Sequence, residues 1–423
     1  MTYQTLEADL DKDKAFTNED VSIDNNWRKK IVLFLASQAI SFFGSALVQY
    51  AITWYITLET QSGVMMTISI ICGFVPMFLI SPFAGVWADR FDRKKLVILS
   101  DSLIALSTLI TAIFFFAGYG ATWLLFAVSA IRSFGSGIQL PAVSAIIPDI
   151  VPEDKLTKVN GTNGSIQSAV TLISPFVSGA LLSLAKIEYI FFIDVITAFI
   201  AVMILLLFLH VPIHKGAAEK QKTGYFTDMK EGMKYIGNHG FVKTTFIFCA
   251  FYFIFVAPMA FLTPLQVTRS FGEDVWRLTA TEVAFSAGMM AGGIIIAAWG
   301  GFKNKLHTMV LSNMVVALST IALGIVPYFS IYLILMALVG IVIPIFNTPF
   351  TVLLQQKVEP EYMGRVFGVM NMISSSLMPL AMIFFGPVAD FIEIELLLIA
   401  TGALMVIQSI FMAANKVLQD ACT

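Results

Sequence analysis

A chain of 423 residues that is 57% hydrophobic and only 13% charged, with a mean hydropathy of +0.82, cannot be an ordinary soluble domain, because such domains carry roughly a quarter charged residues. Its net charge of −2 offers no electrostatic footprint for nucleic acid. Cys72, Cys249 and Cys422 have no metal-ligand spacing and predict neither a metal site nor an external disulfide. A Walker phosphate loop and a His–carboxylate cluster are both missing, which excludes catalysis of the familiar kinds and an ATP-driven pump within this chain. The fold class that remains is an all-α integral membrane protein.

In chain order, residues 1–30 form an acidic tail with Glu7, Asp9, Asp11, Asp13, Glu19, Asp20 and Asp24, and no apolar core that would make a cleavable signal peptide. Trp27 to Lys30 reads as an interfacial anchor. Six apolar spans follow, at about 31–56, 64–87, 96–117, 122–147, 160–184 and 189–211, each long enough to cross a bilayer. A polar linker at 212–243 carries Phe226, Met229, Met233 and Ile236 at helical spacing, which fits an amphipathic helix on the membrane surface or a plain solvated connector. Six more spans lie at about 244–267, 281–299, 306–326, 331–354, 366–389 and 396–414, and a short tail, 416–423, ends the chain. The expected architecture is twelve transmembrane helices in two bundles of six, over 31–211 and 244–415. With both termini inside, the outer loops hold only Lys186, Arg269 and Arg277, and Arg132 lies within a span. The rest of the 26 Lys and Arg then fall on the cytoplasmic side.

The two bundles repeat. Pro141 is followed by Pro152 and Val159-Asn160-Gly161, and Pro349 by Pro360 and Val366-Phe367-Gly368, at the same place in each half. Parallel repeats of this kind suit alternating access, with a binding site near the midplane between the halves.

The loop after the second span carries Gly85, Asp89, Arg90 and Arg93, followed by Lys94 and Lys95. A carboxylate here can accept hydrogen bonds from a neighbouring helix N-terminus and from arginines. Gly85 would let helices approach. The group reads as a latch that closes the cytoplasmic side, against the simpler reading that its cations only set topology. The second-half loop, Trp299 to Lys305, has no Asp. The pattern Gly-x-x-x-Asp-Arg-x-x-Arg-Lys-Lys resembles the signature loop between helices 2 and 3 of the major facilitator superfamily. That resemblance implies a transporter.

Charges within spans are few. Arg132 sits about eleven residues into the fourth span, roughly 16 Å at helical rise, and must pair or face water. Ser129, Ser133, Ser136 and Gln139 give its helix a polar face. Arg132-x-x-Gly135-x-Gly137 resembles the superfamily's fourth-helix motif, whose arginine is tied to proton coupling. Asp194 in the sixth span, read as a carboxylate without a nearby cation, and Glu282 in the eighth are alternative proton carriers. The competing readings are a structural contact for Asp194 and a first-turn helix carboxylate for Glu282.

Polar stripes run along the first span (Gln38, Ser41, Ser45, Gln49), the fifth (Asn163, Gln167, Thr171) and the tenth (Asn347, Thr351). Lipid has no use for them, so they line a wet cavity or helix contacts. Tyr252 and Phe255 in the seventh span and Met378 in the eleventh suit a large apolar ligand of variable shape, or ordinary packing. Ser174-Pro175-x-x-x-Gly179 resembles the superfamily's antiporter motif, with Ser in place of its first Gly. With Gly386-Pro387 it supplies candidate hinges.

The loop from Pro148 to Leu156 and the run Phe192-Ile-Asp194-Val look like the Mef-type macrolide efflux branch, which also includes siderophore exporters. The resemblance spans 27–416. It implies a monomeric exporter of the bacterial inner membrane that takes a small amphipathic substrate and uses the proton gradient in place of any cofactor. A facilitator of a siderophore, lipid or metabolite, and a transport-inactive scaffold or sensor, are the competing expectations.

Overall fold

The computed structural model describes residues 27–209, 233–359 and 362–422; the side chains at 82, 89, 421 and 422 fall outside this description. The acidic tail before Trp27 and the linker positions Phe226 and Met229 lie outside it too. Residues 233–238 are helical, with Ile236 buried and Met233 exposed.

Twelve helices long and apolar enough to span a membrane account for nearly the whole description. In the first half these are α1 (Trp27–Thr60), α2 (Gly63–Arg90), α3 (Arg93–Phe116), α4 (Thr122–Ile150), α5 (Leu156–Leu184) and α6 (Ile187–Phe208). The second half contains α7 (Gly240–Phe271), α8 (Val275–Trp299), α9 (Lys305–Leu323), α10 (Phe329–Lys357), α11 (Met363–Val388) and α12 (Ile394–Ala414), and a short α13 (Lys416–Cys422) follows. Most helices overrun the predicted spans by a few residues at one or both ends, because polar caps extend them past the hydrocarbon. Asp92 accepts from the Lys95 amide to start α3, and Asn304 accepts from the Leu306 amide to start α9. Gly300, in the left-handed region at φ 76°, ends α8. Prolines such as Pro141, Pro175 and Pro349 sit inside continuous helices, as membrane helices tolerate when neighbours satisfy the freed backbone groups.

Helix pairing repeats element for element. In the first half α1 packs on α5 and α6, α2 on α4, and α3 on α4 and α6. In the second half α7 packs on α11 and α12, α8 on α10, and α9 on α10 and α12. The halves meet through α2 with α11 and through α5 with α8, two pairs that exchange under the repeat. This is the arrangement of a parallel repeat about an axis along the membrane normal.

The apolar plug between the halves is at one end only. Trp54, Met66 and Ile70 of the first half are buried in one cluster with Met259, Leu262 and Met382 of the second. All of these lie toward the α1–α2 and α11–α12 loops. At the other end, where Trp27 and α13 lie, a Cβ added to Gly85, Gly161, Gly164, Gly364 or Gly368 would meet nothing within 4 Å. The bundle is sealed at the face opposite Trp27 and α13 and splayed at the face that bears them.

Candidate functional site

The first half hides a charge network. Arg132 on α4 is 6% exposed and Asp194 on α6 is 1% exposed. The Arg132 guanidinium donates through Nη1 to Asp194 Oδ2 at 2.5 Å and to Thr108 Oγ1 at 2.6 Å, and through Nη2 to the Ser45 carbonyl at 3.2 Å. Ser45 Oγ donates to the other carboxylate oxygen at 3.4 Å. Gly44 makes room: a Cβ there would overlap Thr197 Oγ1, so α1 can lie against α6 beside the pair. Four helices therefore converge on one cation. This pairing corrects the expectation that Asp194 lacks a nearby cation. It also separates Arg132 from Glu282, which sits on α8 in the other half, half-buried and close enough to Tyr50 and Tyr332 to act on them electrostatically.

A second carboxylate belongs to this interior and escaped the sequence reading. Asp101 on α3 is 2% exposed. Its Oδ1 accepts from Ser41 Oγ at 2.7 Å and from Gln139 Nε2 at 2.8 Å. Ser41, expected on a cavity wall, is instead turned inward to this carboxylate and is buried. The polar face of α4 serves the same interior, with Ser133 Oγ accepting from the Met77 amide at 3.1 Å.

The other cavity candidates divide. Gln49, Gln167 and Asn347 are exposed on α1, α5 and α10, whereas Gln38 and Ser45 are half-buried. Tyr252 stacks on Phe346 with centroids 5.5 Å apart, and Phe255 stacks on Phe251 at 5.9 Å. Met378 packs against the apolar plug. Between α7, α9, α10 and α12 lies an apolar pocket lined by Phe248, Cys249, Tyr252 and Phe346, with Asn313 and Gln408 among its few polar groups.

Polar contacts reinforce the plug at the sealed face. Asp390, just past α11, accepts from the Ser62 hydroxyl at 2.8 Å and from the amides of Gly63 at 2.6 Å and Val64 at 3.0 Å, capping the N-terminus of α2 across the interface. Arg269 bridges the halves, donating to Asp390 at 3.0 Å and to the Gln61 carbonyl at 2.5 Å. Burial alone would raise the Asp390 carboxyl, but the two amides, the Ser62 hydroxyl and Arg269 outweigh it and hold the group below the usual carboxylate range. Gly386 and Gly179, expected as hinges, are points of closest approach here. A Cβ on Gly386 would overlap Thr67 of α2, and one on Gly179 would overlap Thr279 of α8. Pro175 is buried within α5, and Pro387 is half-buried at the end of α11.

Among the described side chains, the signature loop ties elements of the first half to one another. Gly85 borders open space in this conformation. Arg90 is exposed. Arg93 donates to the Ala88 and Ala145 carbonyls and pairs with Asp149 at 2.7 Å, so it ties α3 to α4 inside the first half. Asp92 is the carboxylate seen capping a helix in this loop. The side chain of Asp89 lies outside the described residues.

With this geometry in hand, the chain can be set beside known proteins. Residues 34–382 match the model of the Major Facilitator Superfamily. The chain belongs to this superfamily. Its members are membrane transporters, not enzymes, and they work without a cofactor. The chain is 31% identical to macrolide efflux protein A of Streptococcus pyogenes, over 90% of this chain and 95% of that one. It is 27% identical to the staphyloferrin A transporter of Staphylococcus aureus, over 41% and 44%. Its fold is similar to that of the nucleoside transporter NupG, with a TM-score of 0.65 at 14% identity, covering 92% and 98% of the two chains.

Proposed function

We propose that this transporter exports amphipathic small molecules, macrolide-like compounds among them, by proton antiport and alternating access. The observation that carries the reading is the buried Arg132–Asp194 pair in a bundle whose halves are joined at one face only. A buried pair with no role at the surface is costly unless it is used, and a one-sided seal is what one state of an alternating-access cycle requires. The similarity to macrolide efflux protein A over nearly the full length of both chains supports export and an apolar, bulky ligand.

The bias of the basic residues toward one side supports a bacterial inner-membrane protein with both termini cytoplasmic. The splayed face is then cytoplasmic and the conformation inward-open. Gly85, Asp89, Arg90 and Arg93 would latch that face in the opposite state. Solute would enter between the halves past Gln49, Gln167, Tyr252 and Asn347. Glu282, on the second half, is the rival to the Arg132 network as the coupling site. A siderophore is the second reading, favoured by the partial similarity to the staphyloferrin A transporter.

The test is transport by the purified protein in proteoliposomes. An imposed pH gradient should drive accumulation of radiolabelled erythromycin, and a protonophore should abolish it. Saturable erythromycin binding with no gradient-driven accumulation would reduce the protein to a binder or sensor. Accumulation that survives the protonophore would remove the proton.

A further inference from the structure

Asp101 poses a problem that the ion pair beside it does not solve. Its Oδ1 is satisfied by Ser41 and Gln139, but no described group reaches Oδ2, which is fully buried. Among the described residues no cation pairs with it. An ionised carboxylate held this way would be far more costly than a protonated one, since burial favours neutralisation unless a counter-charge is present.

The charged groups around it are few. From α4 it meets Gln139, while Arg132 of the same helix is committed to Asp194, Thr108 and the Ser45 carbonyl. From α6 it senses Asp194. On α1 the only contact is Ser41, and no ionisable residue lies between Lys30 and Tyr50. On α2 the only ionisable residue between Gly63 and Trp87 is Cys72. On its own helix Arg93 is held by Asp149 and Lys94 by the Leu209 carbonyl. The interior thus holds one guanidinium and two carboxylates, and only one proton makes it neutral.

We infer that Asp101 holds the exchangeable proton, beside a salt bridge in which Arg132 is already paired with Asp194. In this state Asp101 is a neutral acid, with Oδ1 accepting two hydrogen bonds and the proton on Oδ2. Release of that proton leaves one uncompensated negative charge in a low-dielectric interior. A cationic solute between the halves offsets it, so that proton and solute cation exchange places.

This assignment rests on the proton-antiport reading, and the experiment is chosen to separate the two. Infrared spectra of the purified protein in liposomes should show a protonated buried carboxyl band at neutral pH. The band should vanish in Asp101→Asn and persist in Asp194→Asn. Gln139→Leu, which removes one donor to Oδ1, should shift it, a readout that does not require Asp101→Asn to fold. A band that survives Asp101→Asn or ignores Gln139→Leu would overturn the assignment whether or not erythromycin is transported. If wild-type protein accumulates erythromycin on a pH gradient, Asp101→Asn should lose accumulation above equilibrium yet keep downhill exchange. Full gradient-driven accumulation in that variant would also overturn it.

Discussion

The interior of the first half and the interior of the second occupy the same place in the repeat, but they are built from different chemistry. Between α1, α3, α4 and α6 stand Arg132, Asp194 and Asp101, all buried. Between α7, α9, α10 and α12 stand an apolar pocket and two amides. There Asn313 donates to Ser409 Oγ at 2.9 Å and Gln408 to the Phe248 carbonyl at 2.6 Å, and the oxygens of both amides have no described partner. Duplicated helix pairing therefore does not dictate duplicated chemistry. A buried charge commits its surroundings to pairing and to a fixed proton count, whereas an apolar interior with a few amides leaves volume and tolerance. The difference is one of charge: the first interior holds three ionisable side chains, whereas the second pocket is lined by apolar groups and a few uncharged polar ones.

The comparison breaks most visibly at the ion pair. Arg132→Leu leaves Asp194 buried and unpaired, and such a loss costs about 3–5 kcal/mol. The expected result is a large fall in melting temperature of the purified protein. Replacing both partners, Arg132→Leu with Asp194→Leu, makes the first half resemble the second and should recover much of that stability while transport stays lost. A double variant no more stable than Arg132→Leu alone would show that the pair does more for the fold than neutralise two charges.

What sequence revealed of this contrast follows from how far each signal reaches. Arg132 and Asp194 stand out singly because a charge in an apolar run is conspicuous wherever it lies. Their union was not legible: they are 62 positions apart in the chain, and helix periodicity says nothing about contacts between helices. Asp101 was passed over because it follows Arg93, Lys94 and Lys95 so closely that it reads as part of a charged helix start. The helix in fact begins at Arg93 and carries Asp101 about 12 Å inward at helical rise. Its one local sign is that it stands alone between Leu96 and Leu106. Gly85 shows a different limit. A glycine signals permission for close approach, but whether a neighbour uses it depends on the conformational state.

A smaller effect is expected at the sealed face, where the halves hold each other through Asp390. Its folded pKa is depressed, so its contribution is fully present above the unfolded value and fades as pH falls through the folded value. Acidifying the sealed side should therefore loosen the clamp, and Asp390→Asn should mimic acid at neutral pH. Spin labels introduced at Val64 and Ile392 would read the separation, which should widen in both cases. A separation indifferent to pH and to the variant would assign the seal to the apolar plug alone. Gly386→Ala, which drives a methyl into Thr67, should widen it regardless of pH.

The smallest effect belongs to the second half, and its smallness is the sharper test. Asn313 and Ser409 share one hydrogen bond, while Asn313 Oδ1 is buried with no described partner. Removing one member of a buried hydrogen bond leaves the other unsatisfied, at about 1–3 kcal/mol. Replacing both by apolar groups of similar shape is nearly neutral or stabilising. Ser409→Ala alone should therefore lower the melting temperature modestly. Asn313→Leu with Ser409→Ala should restore or exceed it, because the unsatisfied oxygen disappears with its amide. The same pair of variants leaves the ion pair of the first half untouched, so gradient-driven proton movement should persist even if the range of accepted solutes changes. If the double variant instead abolishes coupling while folding normally, charge handling is not confined to the first half, and the division between the halves fails on the side where the sequence looks least functional.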